Sequence, residues 1–164
     1  MSIKEVEMMN YRKMIQDAGA ESHQVIKNIL DKIMSVEHIS NKDLLWIAHD
    51  LKKNGYLNEA IYVLTKDRKN IEEKIPILHL RGGYYIDKKK YEEAISDFED
   101  VIKLEKKIMK FYCSEEAAFF LAVCHKEISS NSAIDYAHLL SDDFETRFMS
   151  ELWNKEKVIN FIKK

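Results

Sequence analysis

Residues 81–98 read Arg81-Gly82-Gly83-Tyr84-Tyr85-Ile86-Asp87-Lys88-Lys89-Lys90-Tyr91-Glu92-Glu93-Ala94-Ile95-Ser96-Asp97-Phe98. A short polar turn, Asp87 to Lys90, separates two segments whose apolar residues recur at helical spacing. Two helices of a hairpin approach closely only where small residues face each other. Gly82 and Ala94 are expected to meet there, with Tyr85, Tyr91 and Phe98 filling the gaps around the crossing. The arrangement has a counterpart upstream: Gly55-Tyr56-Leu57-Asn58-Glu59-Ala60-Ile61 aligns with Lys89-Lys90-Tyr91-Glu92-Glu93-Ala94-Ile95, and Ala60 and Ala94 lie 34 residues apart. Repetition at this period means stacked supersecondary units, because one hairpin cannot bury its apolar face alone.

Outward from this stretch, helical periodicity covers almost the whole chain. The first helix is expected over 3–17, with Gly19 breaking it. The next spans 21–37, where Val25, Ile26, Ile29, Leu30 and Ile33 recur at i, i+3, i+4, i+7 and i+8. Ser40-Asn41 reads as a cap before 43–54, and Gly55 as the residue that ends that helix. Asn58 is expected to cap 59–69, and Pro76 to open the helix that runs to Ile86. Helical segments over 91–107, 115–127, 133–140, 142–152 and 154–162 bring the stretches to ten, for an expected architecture of about nine helices. The expectation is a single all-α domain over 1–164, without a β-sheet. Its parts are a divergent N-terminal hairpin (3–38), repeats at 41–74 and 75–108, a degenerate repeat (115–140) and C-terminal capping helices (142–162). In the first repeat the small residues are Ala48 and Ala60; in the degenerate one Leu121-Ala122 and His125 mark the first helix, and Ala133, Ala137 and Leu140 the second. Ala94 and Ala133 are 39 residues apart, so extra length falls around Ile108 to Ser114.

Composition agrees with this. One Pro and four Gly among 164 residues leave too few turns for a sandwich or a disulfide scaffold, while 46% hydrophobic residues suffice for a core. With 26 Lys+Arg against 28 Asp+Glu, the charge is −2, which argues against a general nucleic-acid binder. Two cysteines, Cys113 and Cys124, make no disulfide framework. Residues 1–13 carry acids and no apolar run, so a secretory signal is not expected, nor is a membrane span; a cytoplasmic setting follows.

The segments Arg81-Gly82-Gly83-Tyr84-Tyr85 and Tyr91-Glu92-Glu93-Ala94-Ile95 with Phe98 resemble the tetratricopeptide repeat, closely over 41–107 and more weakly over 115–140. Gly82 and Ala94 stand at its small positions, Tyr85 and Phe98 at its bulky ones. The resemblance implies a right-handed superhelical stack of antiparallel hairpins whose first helices line a concave face. It implies partner contacts at His49, Lys52 and Lys53 from the first repeat, His79 and Ile86 from the second, and Phe119, Val123 and Lys126 from the third. Some members hold a chaperone's C-terminal carboxylate in a Lys/Asn/Arg clamp. Here Leu45, His49, Glu116 and Phe120 replace those groups, so that ligand is not expected.

No constellation of catalytic type stands out. The six histidines, His23, His38, His49, His79, His125 and His138, form no His-Glu-x-x-His pair, and Cys113, Cys124 and His125 lack the spacing of a four-ligand zinc site. Gly82-Gly83 is not followed by the Lys-Ser/Thr of a phosphate loop. The acidic pairs Glu92-Glu93, Glu115-Glu116 and Asp142-Asp143 sit at helix starts, where they complement the dipole. No enzyme, cofactor or metal is expected. The expected role is a non-catalytic protein-binding module, foremost a bacterial immunity protein neutralising a toxin. The alternatives are a small chaperone of secreted proteins, or a regulator responding to a peptide or nucleic acid. A rival to the concave face is the basic stretch Lys103, Lys106, Lys107 and Lys110 with Phe111-Tyr112. An acidic partner would suit the lysines, and aromatic anchors often dominate interface energy; the plainer reading is a solvated helix face and an irregular third repeat.

Overall fold

The computed structural model describes residues 3–18, 22–37, 39–66 and 68–164, with side chains from Val6 onward. The expected helix breaker Gly19 and the histidine His38 lie outside the described residues. The protein is all-α in class: nine helices and one two-stranded sheet are present among the described residues. It divides into two compact units, Met1–Arg68 and Lys69–Lys164.

The first unit holds α1 (Ile3–Asp17), α2 (His23–Ser35), α3 (Asn41–Lys53) and α4 (Leu57–Val63). Its core is built on the apolar stripes read from the sequence, except Val25, which is exposed: Ile26, Ile29, Leu30 and Ile33 of α2 and Leu44, Ile47, Ala48 and Leu51 of α3 are buried. Ser40 caps α3, accepting from the Asp43 amide at 3.0 Å while its hydroxyl donates to the Asp43 carboxylate. A side-chain tie joins α1 to α3, where Arg12 Nε donates to the buried Asp50 carboxylate at 2.9 Å. The helix expected to start at Glu59 behind an Asn58 cap starts instead at Leu57, behind Tyr56.

The second unit holds α5 (Ile71–Asp87), α6 (Tyr91–Ile108), α7 (Ser114–Glu127), α8 (Ala133–His138), β1 (Glu145–Phe148), β2 (Glu151–Asn154) and α9 (Lys155–Ile162). Helix α5 begins five residues before Pro76, because Asn70 accepts from the Glu72 amide at 2.9 Å and so supplies an earlier cap. Pro76 therefore lies inside the helix, in its second turn. Helix α5 packs on α6, α6 on α7 and α7 on α8. Phe98 stands directly over Gly82: a Cβ there would lie 2.8 Å from Phe98 Cζ and 3.0 Å from Cε1 and Cε2. The hairpin is also clamped by Arg81, which donates from Nε (2.8 Å) and Nη2 (2.6 Å) to the two oxygens of buried Asp97.

The turns repeat. Gly55, Lys89 and Ser129 each follow a helix in the left-handed region, with φ of 87°, 57° and 56°. The residue after each donates back over five residues: Tyr56 to Leu51 O, Lys90 to Tyr85 O and Ser130 to His125 O. This is the Schellman closure of a helix end. The second turn follows the first by 34 residues and the third follows the second by 40. The extra length lies in α6, which has 18 residues where α4 has 7, and not around Ile108 to Ser114: the loop Met109–Cys113 is shorter than its counterpart 64–70.

One expected helix is absent. Residues 142–152 contribute to a β-hairpin, with Glu145 opposite Asn154 and Phe148 opposite Glu151. Met149 and Ser150 make its tight turn, both at positive φ (50° and 66°), as a two-residue hairpin loop requires. The physical reason is a period of two: Phe144 is buried and Thr146 and Phe148 are half-buried, whereas Glu145 and Arg147 are exposed. Only α9, started by Asn154 accepting from the Lys157 amide at 2.9 Å, is a C-terminal helix of the expected kind.

Candidate docking site

Helix α6 carries its apolar stripe through Ala94, Phe98 and Val101, and the next inward position is Glu105. This carboxylate is fully buried. Its Oε1 accepts from the amides of Tyr112 (3.0 Å) and Cys113 (2.8 Å), and its Oε2 from the amide and hydroxyl of Ser114 (2.8 and 2.5 Å). The negative charge thus sits against the first turn of α7, where amides have no intrahelical partner and the helix dipole favours an anion. Met109 begins the loop in the left-handed region, φ 55°, and the Lys110 amide donates back to Glu105 O at 3.2 Å. At the loop's other side chain, Lys110 Nζ reaches Glu72 at 2.6 Å.

A loop held at so many points would be expected to tuck its apolar side chains inward. Instead Met109, Phe111 and Tyr112 are 75%, 61% and 81% exposed. The backbone is fixed and the large side chains face outward. The exposed face of α6 leading to the loop is segregated by charge. Glu92, Glu99 and Asp100 occupy its earlier turns, and Lys103, Lys106 and Lys107 its last two. Among the described residues none of these three lysines makes an ion pair or side-chain hydrogen bond. Cations at a helix C-terminus are stabilised by the dipole, which accounts for part of this placement.

The eight residues expected on a concave face divide between the units. In the first, His49, Lys52 and Lys53 are exposed on α3, and Trp46, an unforeseen neighbour, stands edge-on to His49 at 6.3 Å with the Arg12 guanidinium over the Trp46 ring, 4.9 Å from its centroid. In the second, Ile86, Phe119 and Val123 are core residues. Phe119 is covered by Phe144, Phe148 and Trp153, with ring centroids 5.6–5.7 Å away. Lys126 is half-buried and donates to Ile162 O at 3.0 Å. His79 is half-buried between Phe98 and Phe120, with Nε2 3.4 Å from Glu116 Oε2, a contact that becomes an ion pair only when the ring is protonated. Burial pushes its pKa down, against the pull of the Glu116 and Glu105 carboxylates. His125, stacked on Tyr136 at 5.1 Å, is lowered by the same cause.

Both cysteines are free thiols. Burial raises Cys113 to about 11 and Cys124 to about 12, with carboxylates nearby adding to the shift, so neither carries appreciable thiolate at neutral pH. Among the described residues no three His, Cys, Asp or Glu side chains gather as metal ligands would, and no helix is long and apolar enough to cross a membrane. Sequence reasoning missed Glu105; the signal available was a charged residue where the helical stripe called for an apolar one. No family model, curated protein or solved structure matches this chain.

Proposed function

We propose that the chain is a non-catalytic protein-binding module built from tetratricopeptide-like hairpins, and that it acts in the cytoplasm as an immunity protein that neutralises a toxin by direct binding. The observation that carries this reading is the loop Met109–Cys113: three large apolar side chains held out in solvent on a backbone fixed by a buried carboxylate. Such an arrangement stabilises nothing within the chain that an apolar-to-polar change would not also serve, and it is what a binding surface with rigid anchors needs. The hairpin turns spaced by 34 and 40 residues support the repeat-like ancestry. Between immunity and secretion-chaperone roles, the buried state of Ile86, Phe119 and Val123 favours immunity, since a chaperone groove lined by those residues has no open apolar floor.

The test is co-expression. Toxins encoded by the source organism are expressed one at a time with and without this chain. The proposal expects growth to be restored for one of them, with a stoichiometric complex recoverable from the rescued cells. Raised secretion of a client without any effect on growth would favour the chaperone role and contradict immunity.

A further inference from the structure

We infer that Met109–Tyr112, with Lys103, Lys106 and Lys107, docks onto an acidic face of a partner protein, Phe111 and Tyr112 entering apolar recesses bordered by carboxylates. This deepens the protein-binding reading and rests on it; what it adds is the surface and the partner's chemistry.

The loop is already ordered without a partner. Three of its succeeding amides, Tyr112, Cys113 and Ser114, are held by Glu105, so the backbone loses little further freedom on binding. Preorganised aromatic side chains are the residues that most often dominate binding energy. The cations beside them are uncommitted: Lys103, Lys106 and Lys107 have no acidic partner among the described residues, whereas Lys110 is engaged by Glu72. Complementary charge is therefore missing from the chain itself and is expected on the partner, where it would also steer encounter.

Two other occupants fit less well. A symmetric pair of copies would set the same three lysines of each chain beside one another, since the same patch meets itself across a two-fold axis. An anionic lipid surface presents negative charge everywhere, but the loop is flanked by carboxylates as well: Glu72 on one side and Glu115, two residues after Cys113, on the other. A protein surface can place carboxylates opposite the lysines and leave those positions neutral.

The test is photo-crosslinking in the source cells, with Tyr112 replaced by p-benzoyl-phenylalanine, and in a separate strain His49 replaced likewise. Circular dichroism of each purified chain checks that it folds. The expected result is a protein adduct from position 112, mapped to a peptide rich in Asp and Glu, and lost when Lys106→Glu and Lys107→Glu are added. With the captured protein purified, Phe111→Ala with Tyr112→Ala should weaken binding by about thirtyfold or more. Adducts from 112 to lipid or to a second copy of this chain, or a protein adduct indifferent to the charge reversal, would overturn the inference. A protein adduct from 49 and none from 112 would overturn it while leaving the protein-binding reading intact. No protein adduct from either position would count against both.

Discussion

Replacing Glu105 by Gln removes one charge and one acceptor oxygen from a site with no solvent. The remaining amide oxygen can serve Tyr112 N and Cys113 N, which Oε1 now accepts at 3.0 and 2.8 Å. The new NH2 group then faces Ser114. Its hydroxyl can rotate to accept, but the Ser114 amide, now 2.8 Å from Oε2, is left facing a donor. An unpaired buried N–H costs about 1–3 kcal/mol, and the two surviving bonds lose the assistance of charge. The sum is roughly 2–4 kcal/mol, a large share of an ordinary domain's stability. Glu105→Ala leaves all three amides unpaired and is expected to be worse. Urea denaturation followed by far-UV circular dichroism measures the loss. Amide hydrogen exchange localises it, with protection at residues 112–114 expected to fall by about tenfold for each 1.4 kcal/mol of local stability. An unchanged midpoint, with those three amides as protected as in the wild type, would refute the assignment of Glu105 as the group that fixes the loop.

Adjacent glycines should respond with opposite sign. Gly82→Ala places a methyl group 2.8 Å from the ring of Phe98, which Phe120 stacks against at 5.0 Å and cannot easily release, so a loss of about 1–3 kcal/mol is expected; Gly83→Ala meets nothing within 4 Å and should gain about 0.5–1 kcal/mol, both read from denaturation midpoints. Lys89→Gly relieves a left-handed lysine at a helix end and should stabilise by about 1 kcal/mol, seen as a melting temperature higher by roughly 2–4 °C. Stability should also fall as pH drops below about 6.5. His79 and His125 have folded pKa values under the ordinary 6.5, so the unfolded chain takes up protons first; their contribution is complete above 6.5 and is lost as pH falls toward the folded values. Urea midpoints at pH 7.5 and 5.5 measure this, and His79→Phe should shrink the difference between them.

The hairpin at residues 81–98 was legible because its signals agree: small residues, helical spacing and a polar turn all point to one structure. The added length of the third unit was legible as a break in period, but its place was not, since it falls in α6 and helical periodicity runs on without marking it. The β-hairpin was not, because a four-residue strand offers only two inward positions, Thr146 and Phe148, too few to outweigh the helical setting around it. The position of Phe119 on the first helix of a repeat points to an exposed concave face, and capping helices over 142–162 would not place a hairpin across it. Phe148 and Trp153 of the hairpin are what bury it. Repeat register states which side of a helix a residue occupies; only the neighbouring element decides whether that side is open. Phe111 and Tyr112 lie in a loop, where no periodicity states which side faces out; Glu105 holds the backbone that carries them.

The most direct measurement is a hydrogen-exchange footprint of the complex with the toxin that the proposed immunity role requires. Binding through the loop predicts slowed exchange concentrated in residues 103–114, beyond the protection that Glu105 already gives there, with residues 46–53 of α3 unchanged. Protection confined to residues 46–53, with 103–114 exchanging as in the free chain, would contradict it.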